Sequence, residues 1–573
     1  MSQKKMALKP YLEAIEKYCT QLSDNELTNV IISLAKEISV RERQGFLDKL
    51  HSFSPAEKAM PDEESIRDTL SDQIEALKED IQERIDSIED GSYWDTIDYD
   101  DGYYDDEEPD YISEEQLAEL TDFFGEAEQY FLDDQLELAR DIYRRLFDLM
   151  GESDELEYSI SGSSDTFDLK ETRARYCRCV YETAKKEDRI KEVLEAIHVY
   201  ASVSDSVLML EKERRPMLQD VIDSKTGDMQ NWDDFLNKWA AALKKIKTDR
   251  AAVLLAEATF FIKGDEGVAD LARKWGKAQP RGYLYRIQNR IKEKDWKAVA
   301  EACQEALKIL PDNSFREQAA GYLALTGRNL TDKTFILQGK REKFISSPGV
   351  TNLLDLADEA GKQDVRAAEL ENLLNIFKKP GNSALTQKPL YTKFLLMTGD
   401  VKAAFNNAQK EKNVGWSYGK AGLVFGSTLY MVCDKSDKAE TVKGLLKKYA
   451  GTRSGYSWSG THDANPAMYD EILKGINQCD VSSADKTAFW DWAYKIGCGR
   501  IDHIVSNKYR KAYLRAATVL GALSECHILF DQKSKAQSLV DTFYFNKYKR
   551  FSAFKREVKS VFKSSGILRA IRL

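Results

Sequence analysis

Between residues 85 and 139 the 573-residue chain has no Lys, Arg or His, and it is sparing in much else. Its five His, at 51, 198, 462, 503 and 527, are too scattered for a recurring ligand motif. Its eight Cys, at 19, 177, 179, 303, 433, 479, 498 and 526, include no CxxC pair, so neither a zinc ribbon nor a disulfide framework is indicated. Pro is scarce at 11 residues and β-branched alternation is nearly missing, which excludes a strand-rich fold. No apolar run reaches the length of a membrane span. The opening MSQKKMALKP leads into an amphipathic pattern instead of a signal-peptide apolar block, so a cytoplasmic protein with no membrane partner is expected. HExxH, GxSxG and GxxxxGK[ST] do not occur, which removes the commonest hydrolase and phosphate-loop signatures. We therefore expect no enzyme activity, no cofactor and no metal.

What is present is segregated charge. The 55 residues from 85 to 139 carry 21 Asp and Glu, whereas residues 501–573 hold 15 Lys and Arg against 5 Asp and Glu. With a net charge of −11 for the whole chain, the rest of the chain sums to zero. Such asymmetry bears on partners and association rate rather than on fold. The densest part, WDTIDYDDGYYDDEEPDY at 94–111, mixes carboxylates with aromatic rings. Gly102 and Pro109 interrupt it and no helical or strand period is visible, so it reads as an acidic linker. Its rings, Trp94, Tyr99, Tyr103, Tyr104 and Tyr111 with Tyr93 beside them, suit anchoring in apolar pockets while carboxylates meet basic groups at the rim. The candidate partner-binding residues are therefore Trp94, Asp98, Tyr99, Asp100, Asp101, Tyr103, Tyr104, Asp105, Asp106, Glu107 and Glu108. A calcium loop fails on register: with Gly102 at position six, Ile97 and Tyr99 fall where ligand oxygens are required.

Residues 1–60 offer three apolar sets at helical spacing, and Ser23 with Glu26 makes a capping box before the second, so a small N-terminal helical bundle is predicted. Residues 61–91 read as one long helix. Pro61 opens it, Asp62, Glu63 and Glu64 favour its positive end, and Gly91 can close it. Its stripe of Ile66, Leu70, Ile74, Leu77, Ile81, Ile85 and Ile88 is a narrow seam, suited to a partner helix or to packing on its own chain.

After the linker (92–113), Ala127, Tyr130, Leu136, Ala139, Tyr143, Leu146 and Phe147 recur at the small and large packing positions of a helix hairpin. A second copy is Trp296, Val299, Cys303, Ala306, Leu307 and Pro311, with the Pro after the second helix. Turns marked by Gly264 and Asp265, Pro311, Gly321, Gly361 and Gly399 place repeat starts near 250, 280, 314, 347 and 385, at intervals of 30, 34, 33 and 38 residues. These features resemble the tetratricopeptide repeat superfamily. The Trp and Gly of the first helix are mostly replaced, Gly321 being the clearest exception, and residues 169–200 keep only the hairpin shape around Asp188. The resemblance implies an all-α fold, an α-solenoid of degenerate hairpins over 114–450, and a curved surface that binds peptides; it carries architecture only.

A Gly/Ser-rich loop, 451–466, separates the array from a basic helical cap, 467–573. There Leu514, Ala517, Leu520 and Leu523 form one predicted face and Ala536, Leu539, Val540 and Phe543 the next. Lys547, Lys549, Arg550, Lys555, Arg556, Lys559 and Lys563 then interleave with Tyr548, Phe551, Phe554 and Phe562, which suits phosphate contact and base stacking. Phe551, Phe554, Val558, Val561 and Phe562 also fit the buried stripe of a closing helix whose solvated side is simply basic. Cys498, His503, Cys526 and His527 are the nearest approach to a thiol or metal constellation, at a spacing that matches no standard motif. Cys177 and Cys179, two apart on a helix, point to different sides. Three readings follow. One is a non-catalytic adaptor that binds another protein or peptide. Another is a sequestering regulator whose acidic-aromatic segment imitates nucleic acid in a basic groove. The third is a metal- or thiol-dependent enzyme.

Overall fold

Every regular element that the computed structural model describes is helical. The residues described are 6–37, 45–47, 50, 63–90, 92–93, 110–151, 168–200, 215–378, 389–412, 415–416, 420–451 and 466–573. None of the described helices is long and apolar enough to cross a membrane. The chain divides into two compact units, residues 1–288 and 289–573, and the division falls inside the expected array.

In the first unit α1 (Leu8–Cys19) and α2 (Asp24–Glu37) form where predicted, and the Ser23 N–H donates to the Glu26 carboxylate at 2.8 Å. Neither helix buries a described side chain, and Tyr11, Ile15, Tyr18, Ile31, Ile32 and Leu34 are exposed. The third apolar set lies mostly outside the described residues. The long helix α3 (Glu63–Glu89) packs on its own chain, burying Leu70, Ile74, Leu77 and Ile81 against α4 (Glu114–Leu132) and α5 (Leu136–Met150). A capping box starts α4: the Ser113 hydroxyl accepts from Gln116 N–H, and the Gln116 side-chain oxygen accepts from Ser113 N–H at 2.9 Å. The same Gln116 amide donates to Asp80 of α3 at 2.7 Å, locking helix start to helix face.

Next come α6 (Leu169–Thr183), α7 (Arg189–Ala196), α8 (Leu218–Asp223), α9 (Trp232–Leu243) and α10 (Asp249–Trp275). Helix α6 is shared by two cores, with Cys179 in the α3–α5 core and Cys177 in the one made with α7 to α10. Gly264, expected as a turn, is a kink inside α10, with φ 66° and ψ −163°; only a residue without Cβ takes that geometry without strain. Helix α11 (Arg281–Lys292) runs through the division.

The second unit continues with α12 (Trp296–Ile309), α13 (Ser314–Leu330), α14 (Lys333–Ser346), α15 (Val350–Lys362), α16 (Arg366–Phe377), α17 (Pro389–Met397), α18 (Val401–Ala408), α19 (Ala421–Val432) and α20 (Glu440–Gly451). It ends in α21 (Pro466–Asn477), α22 (Ser483–Ser506), α23 (Tyr513–Leu529), α24 (Lys533–Val540), a π-helical segment (Asp541–Lys547) and α25 (Ser552–Ser564). Its centre is α19, apolar all round, with all twelve residues buried. Ser427 and Thr428 avoid orphaned hydroxyls there by donating to the Leu423 and Val424 carbonyls.

Consecutive helices turn back through one local device. A residue with positive φ ends the first helix, and the next N–H bonds back to the carbonyl five positions earlier, as Asp332 to Gly327 (2.8 Å), Val365 to Ala360 (2.9 Å), Asp400 to Leu395 (2.9 Å) and Lys435 to Tyr430 (2.9 Å) do. Asp295, Asp332 and Asp400 then cap the following helix with their side chains.

Packing glycines are not where the repeat pattern put them. A Cβ on Gly321 would meet nothing within 4 Å, whereas on Gly339 of α14 it would lie 2.5 Å from the Ala324 nitrogen of α13. Gly327 is equally crowded, 2.7 Å from the Ile336 nitrogen. Gly339→Ala should therefore lower the unfolding free energy by about 1–3 kcal/mol. Gly321→Ala, in a half-buried helix interior with open space for the Cβ, should raise it by up to about 1 kcal/mol. Urea unfolding of the two variants checks this, and equal effects would show that the α13–α14 contact does not depend on the missing Cβ.

Candidate functional site

The acidic candidates Trp94, Asp98, Tyr99, Asp100, Asp101, Tyr103, Tyr104, Asp105, Asp106, Glu107 and Glu108 lie outside the described residues. Their flanks meet at one side chain. The Arg84 guanidinium of α3 sits over the Tyr93 ring, 5.0 Å from its centroid, and donates to the Asp110 carbonyl at 3.0 Å.

The Cys and His candidates do not converge. The Cys526 thiol is buried 3.0 Å from that of Cys433, on α23 and at the end of α19. His503 lies beside the Tyr509 ring. No group of three His, Cys, Asp or Glu among the described residues is arranged to hold a metal. Burial pushes the Cys498 thiol up to about 11 and that of Cys526 well above the usual range, away from the thiolate a nucleophile requires. His527 instead borders a different feature.

That feature is a shallow cleft of about 300 Å³ between α22, the end of α23 and the α24–π edge. Helix α22 presents Trp490 and Tyr494 to it, and α23 presents His527. The three ring centroids are 4.9–5.9 Å apart, with the His527 ring edge-on to both neighbours. Lys535, Ser538, Leu539 and Thr542 form the opposite wall. Burial holds the His527 imidazole below its usual range, and the Lys535 charge adds to this, so at neutral pH the ring is uncharged. Its Nδ1 lies 3.3 Å from the Gln532 side-chain oxygen; in the tautomer that donates to that oxygen, Nε2 is the acceptor nitrogen of the ring. Further along α22, Asp502 accepts from the Tyr548 hydroxyl and from Lys547, both at 2.7 Å. Trp490, Tyr494, Cys498 and Asp502 are four apart, so one face of α22 carries them all. That i, i+4 series was readable in the sequence, and only its facing wall was not.

No protein-family model matches the chain, and no curated protein matches it. The reading of the site therefore rests on its chemistry.

The basic candidates of the C-terminal region divide by contact. Lys547 pairs with Asp502, Lys555 lies over the Tyr544 ring at 4.3 Å, and Arg556 reaches Glu557 at 3.5 Å; Lys549, Arg550, Lys559 and Lys563 are exposed. The rings that would stack on bases face inward: Tyr548, Phe554 and Phe562 are buried and Phe551 is half-buried. Phe554, Val558, Val561 and Phe562 form the buried stripe of α25. Leu514, expected on the inner face of α23, is 50% exposed; Ala517, Leu520 and Leu523 are buried.

Two buried carboxylates are also candidates for chemistry, since perturbed groups often mark reactive centres. Geometry assigns both to structure. Glu257 of α10 accepts from the Leu218 and Gln219 N–H groups at 2.8 and 3.0 Å, closing the start of α8. Glu525 of α23 accepts from the N–H groups of Thr441 and Val442 at the start of α20 and from the hydroxyls of Thr441 and Ser565 at 2.6 and 2.7 Å. Burial pushes Glu257 up to about 7 and raises Glu525 as well. Near Glu257's helix, burial and the Arg173 guanidinium at 3.4 Å hold His198 at about 4.

Because the folded chain holds a proton on Glu257 that the unfolded chain has released above pH 4.5, this contribution is full below pH 4.5 and is lost as pH rises through 7. Relative to Glu257→Gln, the wild-type chain should lose roughly 3 kcal/mol of protection of the Leu218 and Gln219 amides between pH 4 and 8. Hydrogen exchange at those two amides measures it, and a pH-independent difference would refute the assignment. For the thiols, an aromatic disulfide reagent should label the half-exposed Cys19, Cys479 and Cys498 in the native chain. It should spare Cys177, Cys179, Cys303, Cys433 and Cys526 until denaturant is added. Prompt labelling of Cys526 would contradict its burial.

Proposed function

We propose that this chain is a non-catalytic scaffold that binds another protein, built as a solenoid of degenerate tetratricopeptide-like hairpins with the acidic segment as a second docking arm. The observation that carries the reading is the spacing of the turns. Positive-φ residues stand at Lys294, Thr331, Asp364, Gly399 and Asp434, at intervals of 37, 33, 35 and 35 residues. A period near 34 is that of hairpin repeats. One two-helix unit cannot cover its own apolar face, so neighbours stack and leave an extended surface for a partner.

Peptide recognition needs apolar anchors with a polar rim, and the α22–α24 cleft has both. The acidic arm supplies long-range attraction, which falls beyond a Debye length of about 8 Å and is weakened by salt. Two further facts favour binding over reaction: the buried carboxylates serve as helix caps, and burial disfavours the thiolate form.

Affinity capture from cell extract with the full chain should return a defined partner set. A variant with Asp98, Asp100, Asp101, Asp105, Asp106, Glu107 and Glu108 changed to amides should lose part of it, as should the wild-type chain in 0.5 M salt. Capture of nothing above bare resin would sink the scaffold reading, and an unchanged set with the amide variant would remove the arm from it.

A further inference from the structure

The α22–α24 cleft combines features that select for one kind of occupant. Its apolar part is small: Trp490, Tyr494 and His527 present ring faces and edges around about 300 Å³, room for one large side chain rather than for a whole cofactor. Its polar part is mostly acceptors. The Ser538 hydroxyl donates to the Ser534 carbonyl at 3.0 Å and the Thr542 hydroxyl to the Ser538 carbonyl at 2.8 Å, so both oxygens turn lone pairs outward. In the tautomer that donates to Gln532, His527 Nε2 is a third acceptor. The charge at the rim has one sign. Lys535, exposed on the wall, is the charged lining side chain, and no lining side chain among the described residues is acidic. Asp541, the nearest acid along that edge, is held by the Gln537 amide at 2.9 Å. The Lys535 ammonium disfavours a cationic ligand and favours a carboxylate, and the rings beside it favour an aromatic group on the same ligand.

We infer that the cleft seats a tyrosine side chain of an acidic peptide segment on a partner protein, the ring against Trp490 and Tyr494 and a flanking carboxylate on Lys535. The phenol hydroxyl supplies the donor that the acceptors lack, and the ring fills the apolar part. The π-helical segment Asp541–Lys547 borders the seat and contributes Thr542 to its wall. This deepens the scaffold reading above and rests on it, because it names the chemistry of a segment that the scaffold would hold.

The test uses the full chain and a fluorescein-labelled peptide, DEYDDE, read by anisotropy. Saturable binding at low salt is expected, with DEADDE and KRYKKR binding at least about tenfold more weakly, one step of about 1.4 kcal/mol. Lys535→Glu, at an exposed position, should weaken DEYDDE about tenfold, and Thr542→Trp should block it by filling the cleft from its exposed wall. Binding of KRYKKR equal to that of DEYDDE, or binding of DEYDDE that neither variant changes, would overturn the proposal, as would no binding at all. If DEYDDE fails while the full chain still captures its partners and Thr542→Trp leaves that set intact, the cleft falls and the scaffold stands. If DEYDDE binds as described while capture returns nothing, the seat stands and the scaffold reading falls.

Discussion

A helix that starts inside a folded unit leaves backbone N–H groups that water cannot reach, and each must find an acceptor. In the second unit that acceptor is Glu525, fully buried on α23, which takes the N–H groups of Thr441 and Val442 together with two hydroxyls. One side chain thereby joins α23, the start of α20 and the segment after α25. Glu257 performs the same task in the first unit for the start of α8. The cost is a carboxylate out of water, visible in the raised pKa of both groups; the return is that helices far apart in sequence take fixed positions.

The local counterpart of these caps is the reversal between helices. Positive φ at Thr331, Asp364, Gly399 and Asp434 ends one helix and the backward N–H bond satisfies its last carbonyls, so the next helix can begin within a few residues. Short connections of this kind make neighbours antiparallel. How closely they approach is then set by residues such as Gly339 and Gly327, where backbone meets backbone. The central helix α19 is the consequence: with neighbours on every side, it has no polar face to keep.

At the rim of this helical body the α22–α24 cleft differs from the core in being incompletely filled. Trp490 and Tyr494 are four residues apart on one helix, but they become a site only because α23 brings His527 beneath them and α24 brings Lys535 across from them. Candidates grouped by sequence spacing separate in the same place. Cys526 turns toward Cys433 while its neighbour His527, also largely buried, turns to the floor of the cleft, since adjacent residues on a helix face directions about 100° apart.

Much of the helical plan was legible because it is local. The stripe of α3, the Ser23–Glu26 pair, the hairpin carrying Ala127 to Phe147 and the one around Asp188, the opposed Cys177 and Cys179 and the inward stripe of α25 all follow from a 3.6-residue period and from end chemistry within a few residues. What the order of residues left open was every question of which distant surface meets which. That Gly321 has open space beside it while Gly339 is a contact, that α1 and α2 fully bury no described side chain, that Leu514 faces water and that three rings meet a lysine beside α22 depend on pairings between segments tens of residues apart. Periodicity reports that a face is apolar, and only the packed chain decides what covers it.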